Sequence, residues 1–176
     1  EVDLDALDRN VRKCRQIIGD KCALTAVVKS NAYGLGAEVI ARELVKAGAD
    51  VLAVACLSEA KRLRRILPDA EIMILGDTPL DDMPDAARLN LICTIWTERQ
   101  AVKAAECGLR VHAKLDTGFH RLGFDCRAEK LPEIARILGM KGLKLEGVYS
   151  HLALVNHDED MKQFALFDAA VEYLRA

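Results

Sequence analysis

The sequence has no excess of positive charge, no CxxC spacing and no apolar run near the length of a membrane span. Lysine and arginine number 25 against 27 aspartates and glutamates, for a net charge of -2. The basic residues are scattered rather than striped, so no nucleic-acid partner is expected. A spanning helix needs about 20 consecutive apolar residues, and no stretch approaches that, so no membrane association is expected. No leader pattern opens the chain at Glu1. The six cysteines, Cys14, Cys22, Cys56, Cys93, Cys107 and Cys126, have spacings that suit neither a metal nor a disulfide framework. Cys22, Cys56 and Cys93 lie in apolar strand-like runs, where cysteine serves as a small hydrophobe. Reduced thiols and a cytoplasmic setting are expected. What these absences leave is an ordinary globular composition, 51% hydrophobic and 30% charged over 176 residues.

Apolar periodicity then sets the architecture. Leu4, Leu7, Val11, Cys14, Ile17 and Ile18 recur at helical spacing, with Asp3 or Asp5 to cap the start and Gly19 to stop it. Strand-like runs follow at Cys22–Val28, Val51–Leu57, Ile72–Leu75, Leu91–Trp96, Arg110–Leu115 and Leu143–His151. Helical patterns alternate with them at Ala37–Ala47, Ser58 to Pro68, from Pro79, Thr97 to Gly108, Ala128–Leu138 and Asp158–Leu174. The strand starts are about 24 residues apart, close to one βα unit. Strands apolar on both faces imply a parallel sheet covered by helices. An open doubly wound sheet and a (β/α)8 barrel both fit, and a full barrel takes about 250 residues. The expected fold is therefore α/β, a partial barrel of about six βα units behind an N-terminal helix, forming one domain over residues 1–176.

In parallel α/β folds function collects at the carboxyl ends of strands. That rule selects Lys29, Ser58, Trp96, Lys114, Asp116 and His151, with Tyr33 and Arg121 in the adjoining turns. Ser58 and Thr97 read most simply as helix caps, Trp96 as packing, His112 as structural, and His120 and His157 as solvated loop residues. Lys29 is out of place for packing, because its ammonium ends an apolar strand and must be paired, solvated or neutralised. One route to neutrality is an imine; the plain alternative is a stem that packs while the head reaches water. AYGLG lacks the order of a P-loop, but it offers backbone N–H groups and a tyrosine hydroxyl within four residues of that lysine, an arrangement suited to an anion.

AVVKSNAYGLG resembles the pyridoxal-phosphate signature of the alanine racemase family. HAKLDTGFHRLGF and GVYSHLA resemble that family's next two rim segments, in the same order and separation. Leu35 departs from the histidine common in NAYGHG. The resemblance covers the whole chain and implies a (β/α)8 barrel followed by a β-rich domain, in a homodimer whose subunits share each active site. It implies that Lys29 forms the internal aldimine with pyridoxal phosphate and serves as the base on one face of an amino-acid substrate. Tyr33 would hydrogen-bond the phosphate. Arg121 would sit beside the cofactor's phenolic oxygen and the substrate carboxylate, and His151 would stack on the pyridine ring. Lys114 matches a position that some members carry as a carbamate; the plainer alternative is an ammonium bridged to Asp116. The family's second base, a tyrosine, comes from the β-rich domain, so this chain is expected to hold the cofactor-lysine half of a racemase and to have little or no activity alone. The implied reaction is interconversion of L- and D-alanine for cell-wall precursors. A cofactor-binding protein without turnover, or a racemase for serine or another amino acid, remains open.

Overall fold

Asp3 starts the first helix because its carboxylate accepts the Ala6 N–H, satisfying one of the orphan donors of a helix N-terminus. The computed structural model describes residues 1–175, and in it α1 covers Leu4–Ile18 and stops at Gly19, whose φ of 74° lies in the region glycine tolerates. The described residues form two compact units, Glu1–Ile92 and the residues from Cys93 onward.

In the first unit, β1 (Thr25–Val27), β2 (Val51–Val54) and β3 (Glu71–Ile74) run parallel in sequence order. Thr25 stands opposite Val51, and Val51 opposite Glu71. Helices α2 (Ala37–Lys46), α3 (Leu57–Ile66) and α4 (Met83–Arg88) alternate with them. The first strand is shorter than its apolar run suggests. Arg15 donates to the carbonyls of Cys22 and Gly48 and to the Asp50 carboxylate, which also accepts the Leu24 N–H, so the start of the run is committed to a turn. Cys22 is accordingly exposed, not packed as expected, whereas Cys93 is buried. The second run divides as well, with Leu57 opening α3 and Cys56 as its N-cap residue. Ser58 is therefore not the cap; its Oγ lies 3.1 Å from the Cys56 Sγ. Leu52, Leu63, Ile72, Ile74 and Met83 are fully buried, each contributing about 1.5–3 kcal/mol.

In the second unit, β5 (Arg110–Asp116) is flanked by β4 (Ile92–Ile95) and paired in parallel with both β7 (Lys144–Tyr149) and β6 (Phe124–Asp125). The two-residue β6 is too short for alternation to reveal it. Helices α5 (Glu98–Cys107), α6 (Leu131–Leu138) and α7 (His157–Arg175) complete the unit. Thr97 caps α5 in a reciprocal box with Gln100, as its sequence predicts. Ile95, Leu109, Val111 and Leu115 are fully buried. The pairing slips between Val111 and His112, which stand opposite Leu145 and Gly147, so Glu146 is the extra residue of a bulge.

Candidate active site

The lysine turn of the first unit begins where β1 ends. The Val28 N–H donates to the Ala53 carbonyl (2.8 Å), carrying the ladder one residue past β1. Lys29 follows, half-buried, with its Nζ 5.9 Å from the centre of the Tyr33 ring. The next four residues are left-handed: φ is 53° at Ser30, 56° at Asn31, 53° at Ala32 and 55° at Tyr33. None is glycine, and the left-handed helical conformation costs about 1–2 kcal/mol per L-residue, so roughly 4–8 kcal/mol must be offset by the surroundings.

Side chains supply part of that. Glu59, in the first turn of α3, accepts the Ser30 N–H through Oε1 (2.7 Å) and the Ala55 N–H through Oε2 (2.8 Å). Asn31 folds forward so that its Oδ1 accepts the Ala37 N–H at 2.9 Å, and Ala32 is buried. Backbone bonds close the rest: Gly34 donates to Ser30, Leu35 to Ala32 and Gly36 to Asn31. This corrects the reading of AYGLG as a source of exposed N–H groups. The amides of Gly34, Leu35, Gly36 and Ala37 are spent inside the turn, and Tyr33 is 64% exposed, with Ser30 and Asn31 also exposed.

In the second unit the ends of β5 and β7 lie together. Lys114 is 4% exposed in β5, between buried Ala113 and Leu115. Burial first, and then the Arg121 charge, hold its pKa below the ordinary lysine range, with Asp116 opposing them. The plain alternative of a bridge to Asp116 meets competition from the loop, since that carboxylate accepts the N–H groups of Gly118 and His120 at 3.0 Å each and lies 3.6 Å from the exposed His120 ring. Thr117 and Ser150 share a hydroxyl–hydroxyl bond of 2.8 Å that ties the two strand ends together. The Arg121 guanidinium lies over the Phe119 ring at 4.5 Å, and Phe119 in turn meets His151 edge-on at 4.9 Å. The Tyr149 and Thr94 hydroxyls are 2.9 Å apart. Burial raises the Tyr149 pKa, against the Thr94 bond and the Arg121 charge.

Gly123 makes this loop possible. Its φ is 144°, and a Cβ there would stand 2.5 Å from the Asp116 nitrogen. Only a residue without a side chain lets the loop return close enough for β6 to pair with β5. On the far side, buried Gln163 of α7 accepts the Ala153 N–H at 3.0 Å.

Each unit thus gathers part of the set selected from sequence: Lys29 with Tyr33 in one, and Lys114, Arg121 and His151 in the other. Sequence reasoning passed over Phe119, Tyr149, Glu59 and Asn31. Phe119 and Tyr149 stand inside the motifs that were singled out, and position alone could have raised them. Among the described residues no cluster of histidine, cysteine and acidic side chains suits a metal ion, and no helix is long and apolar enough to cross a membrane.

A family model described as alanine racemase, N-terminal domain, matches residues 2–176. The alanine racemase of Desulforamulus reducens is 39% identical over 165 residues, covering 90% of this chain and 45% of that protein. That of Anoxybacillus flavithermus is 40% identical over 184 residues, covering 99% of this chain and 48% of the relative. Among solved structures, the Bacillus anthracis alanine racemase with bound L-Ala-P superposes with a TM-score of 0.89 at 33% identity, over 99% of this chain and 47% of that one. The chain spans about half the length of these relatives. The fold is α/β, with the parallel strands and covering helices of the partial (β/α)8 barrel expected from sequence.

Proposed function

The chain belongs to the alanine racemase family as its N-terminal domain, and on that premise we propose that it is the cofactor-lysine half of a pyridoxal-phosphate-dependent amino-acid racemase. The observation that carries this reading is the placement of Lys29. A primary amine stands at the carboxyl end of β1, on a turn held in a costly backbone conformation, with a phenol beside it. Strain that the surroundings maintain is characteristic of functional positions.

The side-chain types gathered in each unit suit pyridoxal phosphate. The Lys29 amine is the group that can hold its aldehyde carbon, and the Tyr33 hydroxyl can donate to a phosphate oxygen. Arg121 offers a fork of N–H donors for a phenolic oxygen or a substrate carboxylate, and His151 offers a flat ring. When bound, the cofactor supplies an electron sink that makes the substrate Cα–H acidic. The chain's own part is to move protons and fix orientation. The Lys29 Nζ takes or returns the Cα proton on one face, while Arg121, its guanidinium packed on Phe119, holds the carboxylate. A second acid–base group is needed on the opposite face, and we assign it to the β-rich domain of a partner subunit in a homodimer.

Lys114 is the proposed carbamate. A buried amine with depressed proton affinity is more often neutral, and the neutral amine is the form that adds carbon dioxide. The N–C bond forms as the nitrogen gives up one proton to solvent, and the product is a carbamate anion suited to pairing with Arg121. Residues 1–176 act as one partial cofactor-binding domain in a cytoplasmic enzyme, with L- and D-alanine as substrates and D-alanine for peptidoglycan as the output. The test is substitution in the full-length protein that carries this chain. Lys29→Ala is expected to abolish alanine racemisation, and Arg121→Ala to impair turnover while sparing cofactor binding. Unchanged rates in either would contradict the assignment.

A further inference from the structure

We propose that Glu59 is a positioning residue for Lys29: its carboxylate clamps the left-handed turn that sets the direction of the lysine side chain. The proposal rests on the reading of Lys29 as the cofactor lysine. Glu59 is the third residue of α3, a position from which a side chain ordinarily reaches back to cap its own helix. Gln100 occupies the same position in α5, and its Oε1 reaches back locally, accepting the N–H groups of Trp96 and Thr97 and the Thr97 hydroxyl. Glu59 departs from this pattern. One oxygen takes the Ala55 N–H, just outside its own helix, and the other crosses to the Ser30 N–H, 29 residues away in sequence. Local capping accounts for the first bond and leaves the second unexplained.

The second bond falls on the residue directly after Lys29 and on the first of the four left-handed residues. A carboxylate is the side chain suited to this work, since it accepts on both oxygens and meets the positive end of α3. Around it, Arg62 of α3 lies 3.7 Å from Glu38 of α2, and Val28, Asn31 and Leu63 complete the cleft. The Asn31–Ala37 bond closes the far end of the turn, so Glu59 holds the end next to Lys29. Without it, the Ser30 N–H loses that acceptor, and holding that end against relaxation toward the right-handed region falls to the backbone bond from the Ala32 N–H to the Val28 carbonyl (2.9 Å). A small change of backbone there redirects the Lys29 side chain, and misplacement of a reacting group by about 1 Å can lower rates by about a hundredfold.

The experiment uses the 176-residue chain as wild type, Glu59→Ala and Glu59→Gln. Each is incubated with pyridoxal phosphate, reduced with borohydride and mapped by peptide mass spectrometry, reading label at Lys29 against label at the exposed Lys21 and Lys46. Amide hydrogen exchange over residues 28–36 and thermal melting are measured in parallel. In Glu59→Ala the Lys29 label is expected to fall by about tenfold or more relative to the two reference lysines, with faster exchange over 28–36 and a melt that stays cooperative. Glu59→Gln, which keeps one acceptor oxygen, is expected to fall between. A merely structural role would alter all three lysines together. Wild-type selectivity for Lys29 in Glu59→Ala, with exchange unchanged, overturns the proposal. If Glu59→Ala does not fold, unchanged selectivity in Glu59→Gln overturns it. If the wild-type chain shows no preference for Lys29, the cofactor-lysine reading fails. Exchange over 28–36 then decides the clamp by itself: faster in the variants supports it, unchanged refutes it.

Discussion

The His151 ring meets the Phe119 ring edge-on, with centroids 4.9 Å apart and planes at 88°. Phe119 also carries the Arg121 guanidinium at 4.5 Å, so one apolar ring meets two of the proposed site residues at once. An edge-to-face pair contributes about 0.5–1.5 kcal/mol, and an exposed cation–π contact about 0.5–1 kcal/mol. Phe119→Leu keeps the bulk and removes both ring contacts. It is expected to lower stability by roughly 1–2.5 kcal/mol in urea unfolding and to broaden or shift the His151 imidazole resonances. Unchanged resonances would mean that Phe119 does not orient His151.

Gly123 provides a test of the loop. A methyl group there would overlap the Asp116 backbone, and the φ of 144° suits only glycine. Gly123→Ala is expected to cost about 2–4 kcal/mol from strain and overlap together. Denaturant unfolding with an unchanged midpoint would show that the loop return is looser than described.

His112 gives a pH dependence with a defined sign. Burial holds its pKa below the ordinary 6.5, with the Arg110 charge acting the same way and Glu146 opposing. The unfolded chain therefore binds the proton first as pH falls. Stability from the neutral ring is complete above the unfolded value and is lost as pH falls through the lower folded one. Wild type is expected to lose stability on acidification below about pH 6.5 more steeply than His112→Gln. Parallel curves from urea titrations at several pH values would remove His112 as the cause.

Lys114 makes the carbamate testable without turnover. The chain in carbon-13 bicarbonate is expected to show a carbamate carbonyl resonance that is absent from Lys114→Ala. A resonance that survives the substitution belongs to another amine, and no resonance in wild type contradicts the proposed modification.

The repeating βα pattern was legible because buried strands and amphipathic helices write different periods into the sequence, and because Gly19 and the Thr97–Gln100 box punctuate them clearly. Boundaries were less legible wherever a side chain overrode apolar character. Arg15 and Asp50 shorten the first strand from a distance, and Glu59 takes the Ala55 N–H at the end of the second. No local pattern announces partners 26 or 35 residues away. Among candidate site residues, the strand-end rule selects Lys29 after β1, Lys114 in β5 and His151 after β7. It could not show that the turn after Lys29 would be left-handed over four non-glycine residues, since glycine is the usual mark of that conformation. The same gap explains the misjudged amides of AYGLG. Their count was visible in the sequence, but their consumption by Ser30, Asn31 and Ala32 depends on that backbone.

Covalent mapping decides whether Lys29 is the residue that holds the cofactor. The wild-type chain and Lys29→Ala are each incubated with pyridoxal phosphate, reduced with borohydride, digested and sequenced by mass spectrometry. A pyridoxyl group on Lys29 is expected as the dominant product in wild type, with loss of that product and no compensation elsewhere in Lys29→Ala. Dominant label at another lysine, or no label above the background of exposed amines, would contradict it.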